Sequence, residues 1–196
     1  TEGLTVDQVV SKVRGPIGTK VKLTIIHADE KLPVDIEIER AEINLTTVEY
    51  SMRGDVAYIQ ITNFYESTNK EFQAALEALD LENARGIILD LRNNLGGYVN
   101  TMVEVASHFI KEGTIITLRD NQGRTDSESV RPNGIFTDLP LVVLANQYSA
   151  SASEVLSGAL QDYDRAVIAG TQTFGKGSYD VFYTLGDGSA IYLTVG

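Results

Sequence analysis

The sequence predicts an α/β fold built on a mostly parallel sheet, and three observations carry that prediction. Short apolar runs stand at Gly86–Leu91, Leu139–Leu144 and Ala166–Ala169, and Asp90 is the one charged residue inside them. Runs of that length suit strands covered on both faces. Between them lie stretches whose apolar residues recur at helical spacing: Thr68–Leu81 (Phe72, Ala75, Leu76, Leu79), Tyr98–Lys111 (Val99, Met102, Val103, Ala106, Phe109, Ile110) and Ala150–Tyr163. Strands alternating with helices imply βαβ units. Finally, 196 residues with 43% hydrophobic and 22% charged content can form a packed core.

The elements follow in order. Thr5–Val13 reads as a short helix with Thr5 as its cap and Val6, Val9, Val10 and Val13 as its stripe. Gly15-Pro16 stops it. Lys20–His27 and Val34–Ile38 alternate as strands around a turn at Ala28–Pro33. These residues form a unit, 1–42, too short to bury much surface alone. The remainder, 43–196, opens with a strand at Val56–Ile61. After the central elements come a strand at Thr114–Leu118, a polar loop over Asp120–Asp138, and a final strand pair, Val181–Thr184 and Ala190–Val195, around Gly186-Asp187-Gly188.

Composition excludes several chemistries. Sixteen Lys and Arg against 27 Asp and Glu give a net charge of −11, a poor balance for attracting phosphates, so no nucleic-acid partner is expected. There is no cysteine, which removes disulfides, thiolate nucleophiles and Cys-ligated metals. His27 and His108 are the two histidines; both read as structural, so a hydrolase here would not use a histidine base. No metal or cofactor is expected. No run approaches the ~18–20 apolar residues of a membrane span, and no signal peptide opens the chain. The chain starts without Met and stops in a strand-like run, Leu193–Gly196. We therefore expect a piece of a longer protein, whose targeting segments would lie elsewhere.

Ligands in open α/β sheets gather beyond the carboxyl ends of the strands. Three loops qualify: Asn93–Gly97, Asn146–Ser153 and Thr173–Gly177. In the second, Ser151 stands where a strand turns into a helix, and the helix N-terminus offers free N–H groups to a developing oxyanion. Ser151-x-x-Glu154 equally fits a capping box. A serine nucleophile needs a base, and lysine is the next candidate after histidine. Lys176 is the one lysine after Lys111, and glycines flank it. A free lysine has a pKa near ~10.4, so it must be lowered by about three units, about 4 kcal/mol, to work as a base at neutral pH. The segment Gly170–Gly177 resembles a phosphate loop in spacing, but Gly177 stands where Ser or Thr would hold Mg²⁺.

Taken together, four blocks resemble the carboxyl-terminal processing, or tail-specific, serine proteases. They are Asp90–Gly97 (DLRNNLGG), Ser149–Glu154 (SASASE), Thr173–Gly177 (TFGKG) and Asp187–Ala190 (DGSA). The resemblance implies a ββα-type (ClpP/crotonase-like) core and a catalytic dyad of Ser151 as nucleophile and Lys176 as base. It implies an oxyanion hole of backbone N–H groups from Gly96 or Gly97 and from Ala152. The substrates would be exported polypeptides with apolar C-terminal tails, cut outside the cytoplasm, with membrane attachment only through a segment not in this chain. An oligomer is left open. Residues 1–42 resemble the C-terminal half of a PDZ domain. The chain departs from the family at Leu95, where Pro is usual, and at Asp180, where Gln often orients the lysine. The family domain also usually continues past Gly196. A catalytically silent, peptide-binding relative is the alternative reading, because a carboxylate at Asp180 favours the ammonium form of Lys176.

Overall fold

The computed structural model describes residues 3–27, 32–43, 45–132 and 135–196. The chain divides into two compact units, Thr1–Leu45 and Thr46–Gly196.

In the first unit, helix α1 (Val6–Val13) starts at Thr5. The Thr5 hydroxyl accepts from the Gln8 N–H, and the Gln8 side chain accepts from the Thr5 N–H at 3.0 Å. This reciprocal cap satisfies two of the donors a helix start leaves open. Strands β1 (Lys20–Ile25) and β2 (Val34–Glu39) pair antiparallel, Val21 opposite Ile38 and Leu23 opposite Ile36. Arg40 fastens the pair to the helix by donating to the carbonyls of Val13 (2.8 Å) and Lys20 (3.0 Å). The turn expected at Ala28–Pro33 falls mostly outside the described residues.

The second unit is built on a five-stranded sheet of order β3-β4-β5-β8-β9. Its strands are β3 (Val48–Arg53), β4 (Val56–Ile61), β5 (Gly86–Asp90), β8 (Leu141–Ala145) and β9 (Val167–Gly170). Strands β4, β5, β8 and β9 run parallel, and β3 joins antiparallel at one edge. Register aligns Ile59 with Leu89, Leu89 with Val143, and Val143 with Ile168. This row points into a core shared with helices α2 (Thr68–Ala78), α3 (Val99–Ala106) and α4 (Ala152–Asp162), where Phe72, Met102, Leu156 and Leu160 are fully buried. The alternate positions Ile88, Val142 and Leu144 face the other side and are half-buried. Burying each large side chain stabilises the fold by roughly 1.5–3 kcal/mol before the entropy of ordering is counted.

Two strands were not expected from the sequence. β3 has a single buried residue, Val48, so no apolar alternation marks it; its pairing with β4 makes it a strand. The segment 120–138, read as a polar loop, contains β7 (Thr125–Ser129), which pairs with β6 (Thr114–Arg119) as a mostly exposed hairpin. Helix α3 ends at Ala106, short of Lys111. There the Ser107 hydroxyl bonds the Val103 carbonyl at 2.7 Å, and the His108 and Phe109 N–H groups reach back only three residues. A hydroxyl competing for the backbone and a tightened last turn end the regular helix, although Phe109 and Ile110 stay buried beyond it. Strands β10 (Asp180–Thr184) and β11 (Ala190–Thr194) form a separate antiparallel pair.

Candidate active site

Strands β5, β8 and β9 point their carboxyl ends the same way, so the loops that follow them share one edge of the sheet. Backbone bonds tie these loops together. Ala150 N–H donates to the Asn94 carbonyl at 2.9 Å, and Phe174 N–H to the Ser149 carbonyl at 3.0 Å. The Asn146 side chain accepts from the Asn93 N–H at 3.0 Å and donates to the Asn93 side chain at 2.9 Å.

The three serines of Ser149–Ser153 have different fates. Ser149 is buried; its hydroxyl donates to the Leu91 carbonyl at 2.8 Å and accepts from the Asn146 N–H. Ser153 is buried and donates to the Asn94 carbonyl at 2.8 Å. Both are tied up in holding loop to loop. Ser151 is half-buried and occupies the N-cap of α4 with φ 55° and ψ −119°. A non-glycine residue pays strain for such a conformation, and strained residues of this kind concentrate at functional sites. The turn brings Ser151 to the start of a helix, whose dipole favours negative charge.

Gly96 and Gly97 lie beside it. A Cβ on Gly96 would come within 2.8 Å of the Ser151 Cβ and 3.0 Å of the Ala152 nitrogen; one on Gly97 would come within 2.2 Å of the Phe64 carbonyl oxygen. Both glycines have positive φ (99° and 145°), so only glycine fits the turn and the close approach. The structure separates the two. Gly96 N–H donates to the Asn94 side chain at 2.8 Å, which removes it as an oxyanion donor in this state. Among the described residues, neither the Gly97 nor the Ala152 N–H has a hydrogen-bond partner.

Glu154, one turn into α4, joins the serine loop to the lysine loop. Its Oε2 accepts from the Ser151 N–H at 2.8 Å and from the Lys176 N–H at 2.9 Å, and its Oε1 accepts from the Gly175 N–H at 2.6 Å. Burial pushes the Glu154 carboxyl up, but the Thr173 hydroxyl and these backbone donors outweigh it and hold the group below its ordinary value of 4.5. The capping box was legible in the sequence; the bonds to residues 175 and 176 were not, because they depend on how β9 returns its loop.

The Lys176 side chain, about one-third exposed, does not stand free. Its Nζ donates to Asp180 Oδ2 at 2.7 Å. Asp180 also accepts from the Tyr192 hydroxyl at 2.8 Å and the Thr194 hydroxyl at 2.6 Å. The ammonium and the two hydroxyls hold the Asp180 carboxyl down to about 2, while the Asp180 bond raises the Lys176 amine above its ordinary value, against the smaller opposing effect of burial. The ion pair favours the charged form of the amine, the effect a carboxylate at Asp180 was expected to have.

A third acidic group at this edge had no role assigned from the sequence. Asp90, at the end of β5, is fully buried and accepts from the Tyr58 hydroxyl at 2.7 Å, the Arg92 N–H at 3.0 Å and the Arg92 Nε at 2.9 Å. Its interruption of an apolar strand was the available signal. His108 lies in the core, its ring nitrogens 2.6 Å from the Ile135 carbonyl and 3.0 Å from the Asn69 side chain, and burial lowers its pKa. His27 is exposed. Among the described residues, no cluster of three His, Cys, Asp or Glu could hold a metal ion, and no helix is long and apolar enough to cross a membrane.

Comparison with known proteins places this arrangement. The chain is 40% identical over 201 residues to a carboxyl-terminal-processing protease of Synechocystis sp., covering 100% of the chain and 47% of that protein. It is 38% identical over 200 residues to a carboxy-terminal-processing protease of Bartonella bacilliformis, covering 98% and 45%. A solved structure of a photosystem II D1 C-terminal processing protease superposes with a TM-score of 0.69 at 32% identity, over 92% of this chain and 51% of that one. The chain thus spans about half the length of the relatives it matches. Residues 55–196 match peptidase family S41, and the chain belongs to that family.

Proposed function

We propose that this chain carries the site of a serine endopeptidase in which Ser151 is the nucleophile and Lys176 the general base. Neutral Lys176 Nζ takes the Ser151 hydroxyl proton as Oγ adds to the substrate carbonyl carbon. The oxyanion is held by the Gly97 and Ala152 N–H groups. Collapse breaks the C–N bond, the leaving amine takes the proton back from Lys176, and water hydrolyses the acyl-enzyme by the same proton path. The observation that carries this reading is the contrast among the serines. Ser149 and Ser153 are tied to buried carbonyls, while Ser151 sits in strained backbone beside the Gly97 and Ala152 N–H groups, which have no hydrogen-bond partner among the described residues.

The names of the relatives support a polypeptide substrate cut near its C-terminus. We extend this to exported proteins with apolar tails, met outside the cytoplasm. Residues 1–42 are proposed as the C-terminal half of a PDZ-like unit, with which the β1–β2 pair and α1 are compatible; a complete PDZ domain takes an extended peptide by strand addition, and the half that holds the terminal carboxylate is not among these residues. In an unfolded-polypeptide cleavage assay, Ser151→Ala and Lys176→Ala should each lower the rate by at least ~10³-fold, the scale of losing a nucleophile or its base. Full cleavage by either variant would overturn the dyad. The Lys176–Asp180 ion pair favours a second reading, a relative that binds peptides without cutting them; peptide binding by the unaltered chain with no cleavage from pH 6 to 10 would select it.

A further inference from the structure

We propose that Asp180, held from β11 by Tyr192 and Thr194, acts as a positioning residue that brakes the site, because its ion pair with Lys176 must be broken before the amine can accept the Ser151 proton. The inference rests on the Ser151/Lys176 reading and concerns its regulation.

The geometry is a closed set. Asp180 Oδ2 takes both the Lys176 ammonium (2.7 Å) and the Tyr192 hydroxyl (2.8 Å), and Oδ1 takes the Thr194 hydroxyl (2.6 Å). The carboxylate side chain is covered by these partners, at 7% exposure. Its orientation is set from β11, whose residue Thr194 lies opposite Asp180 in the register. The groups facing Lys176 are Asp180 from β10, Tyr192 from β11, and Glu154 from α4. Glu154 is occupied by backbone N–H groups, including that of Lys176 itself. Asp180 is therefore the carboxylate that meets the amine. Gln at this position would offer a carbonyl oxygen to the same nitrogen without a negative charge, leaving the amine free to lose its proton.

The sign follows. An anion beside an amine favours the ammonium, so the neutral fraction at pH 7 is smaller than for an unpaired lysine. Acid does not release the brake in the working range, since Asp180 stays ionised down to about 2. Cleavage should rise with pH through the neutral and mildly alkaline range.

The test uses the full chain and two independent readings. Lys176 is followed by NMR of its side-chain carbon and nitrogen against pH, assigned with Lys176→Arg, in the unaltered protein and in Asp180→Asn, Asp180→Gln and Asp180→Glu. Asn keeps an acceptor for the β11 hydroxyls, so the hairpin is retained. The titration midpoint should fall by about one unit or more in the Asn and Gln variants, which is about tenfold more neutral amine at a given pH below it. It should stay near the original value in Asp180→Glu. The alkaline rise of the pH–rate profile should move down by the same interval, raising cleavage at pH 7 by about tenfold. A midpoint unchanged in both neutral variants overturns the brake, even where Ser151→Ala abolishes cleavage and the dyad stands. Should Ser151→Ala cleave normally, the dyad falls, and the titration alone still decides whether Asp180 holds the charge.

Discussion

Asp90 shows how a single residue binds stability to the site. Burial alone would push its carboxyl up; the Arg92 and Tyr58 hydrogen bonds and the Arg92 charge outweigh that and hold it below its ordinary value. A carboxyl lowered in the folded state contributes stability that is fully present above the unfolded pKa, near ~3.9, and is lost as pH falls through the folded value. Removing the cation leaves a buried charge uncompensated. Arg92→Ala should therefore cost about 3 kcal/mol, the low end for breaking a buried pair because Arg92 is itself half exposed. Urea unfolding at pH 7 measures this, and a loss under about 0.5 kcal/mol, typical of a surface pair, would show that water replaces the guanidinium. The same residue marks what sequence reading reached. An acidic residue inside an apolar strand was conspicuous, but its partners, Tyr58 on the neighbouring strand and Arg92 two residues on, were set by parallel register and by the turn after β5.

At the scale of elements, helix α4 and the loop after β9 act as one device through Glu154. The helix start satisfies its own N-cap and, with the same carboxylate, orders the backbone of Gly175 and Lys176. Glu154→Ala should leave three N–H groups without their acceptor and cost about 1–3 kcal/mol, tempered by partial exposure. On the proposed Ser151/Lys176 mechanism its larger effect should fall on kcat, because the backbone of Lys176 loses its anchor to the helix that carries Ser151 while substrate binding elsewhere is untouched. Hydrogen exchange gives a pH test of the clamp. Glu154 is lowered below 4.5, so the Gly175 and Lys176 amides should stay protected above that pH and lose protection as pH falls through the lowered value. Intrinsic exchange rates are corrected for in that comparison, and unchanged protection would sink the clamp. Strands β3 and β7 belong at this scale as well. Each is specified by a hydrogen-bonding neighbour rather than by burial, so neither carries the apolar run by which β5 or β8 announces itself.

For the molecule as a whole, the two units differ in what holds them. The cluster of buried side chains runs from Val48 to Leu160, and among the described residues none of it comes from the first 45. A unit of that size with one short helix and one strand pair buries little on its own. Amides of β1 and β2 should therefore exchange through openings of far lower free energy than those of β4, β5 and β8. Residues 46–196 prepared alone should melt within about 4 °C of the second unit in the full chain, the shift that about 1 kcal/mol produces at this size. Matching protection in both units, or a larger drop on truncation, would show that they fold as one.

Local pattern was enough to locate the buried strands, the helices between them, the three loops at their carboxyl ends, and the serine and lysine whose spacing resembles a peptidase. Burial leaves a one-dimensional trace, since apolar residues must recur at the period of the element that hides them. Only the folded chain decided that Ser149 and Ser153 are spent on carbonyls, that Gly96 gives its N–H to Asn94 while Gly97 keeps its own, that Glu154 spans two loops, and that Lys176 is held as a cation by Asp180. The serine and Glu154 contacts depend on which donor meets which acceptor when distant loops converge, whereas the Gly96–Asn94 and Lys176–Asp180 bonds, two and four residues apart, depend on how each local turn aims its side chain. A hydrogen bond between residues twenty or fifty positions apart leaves no periodic mark on the chain that makes it.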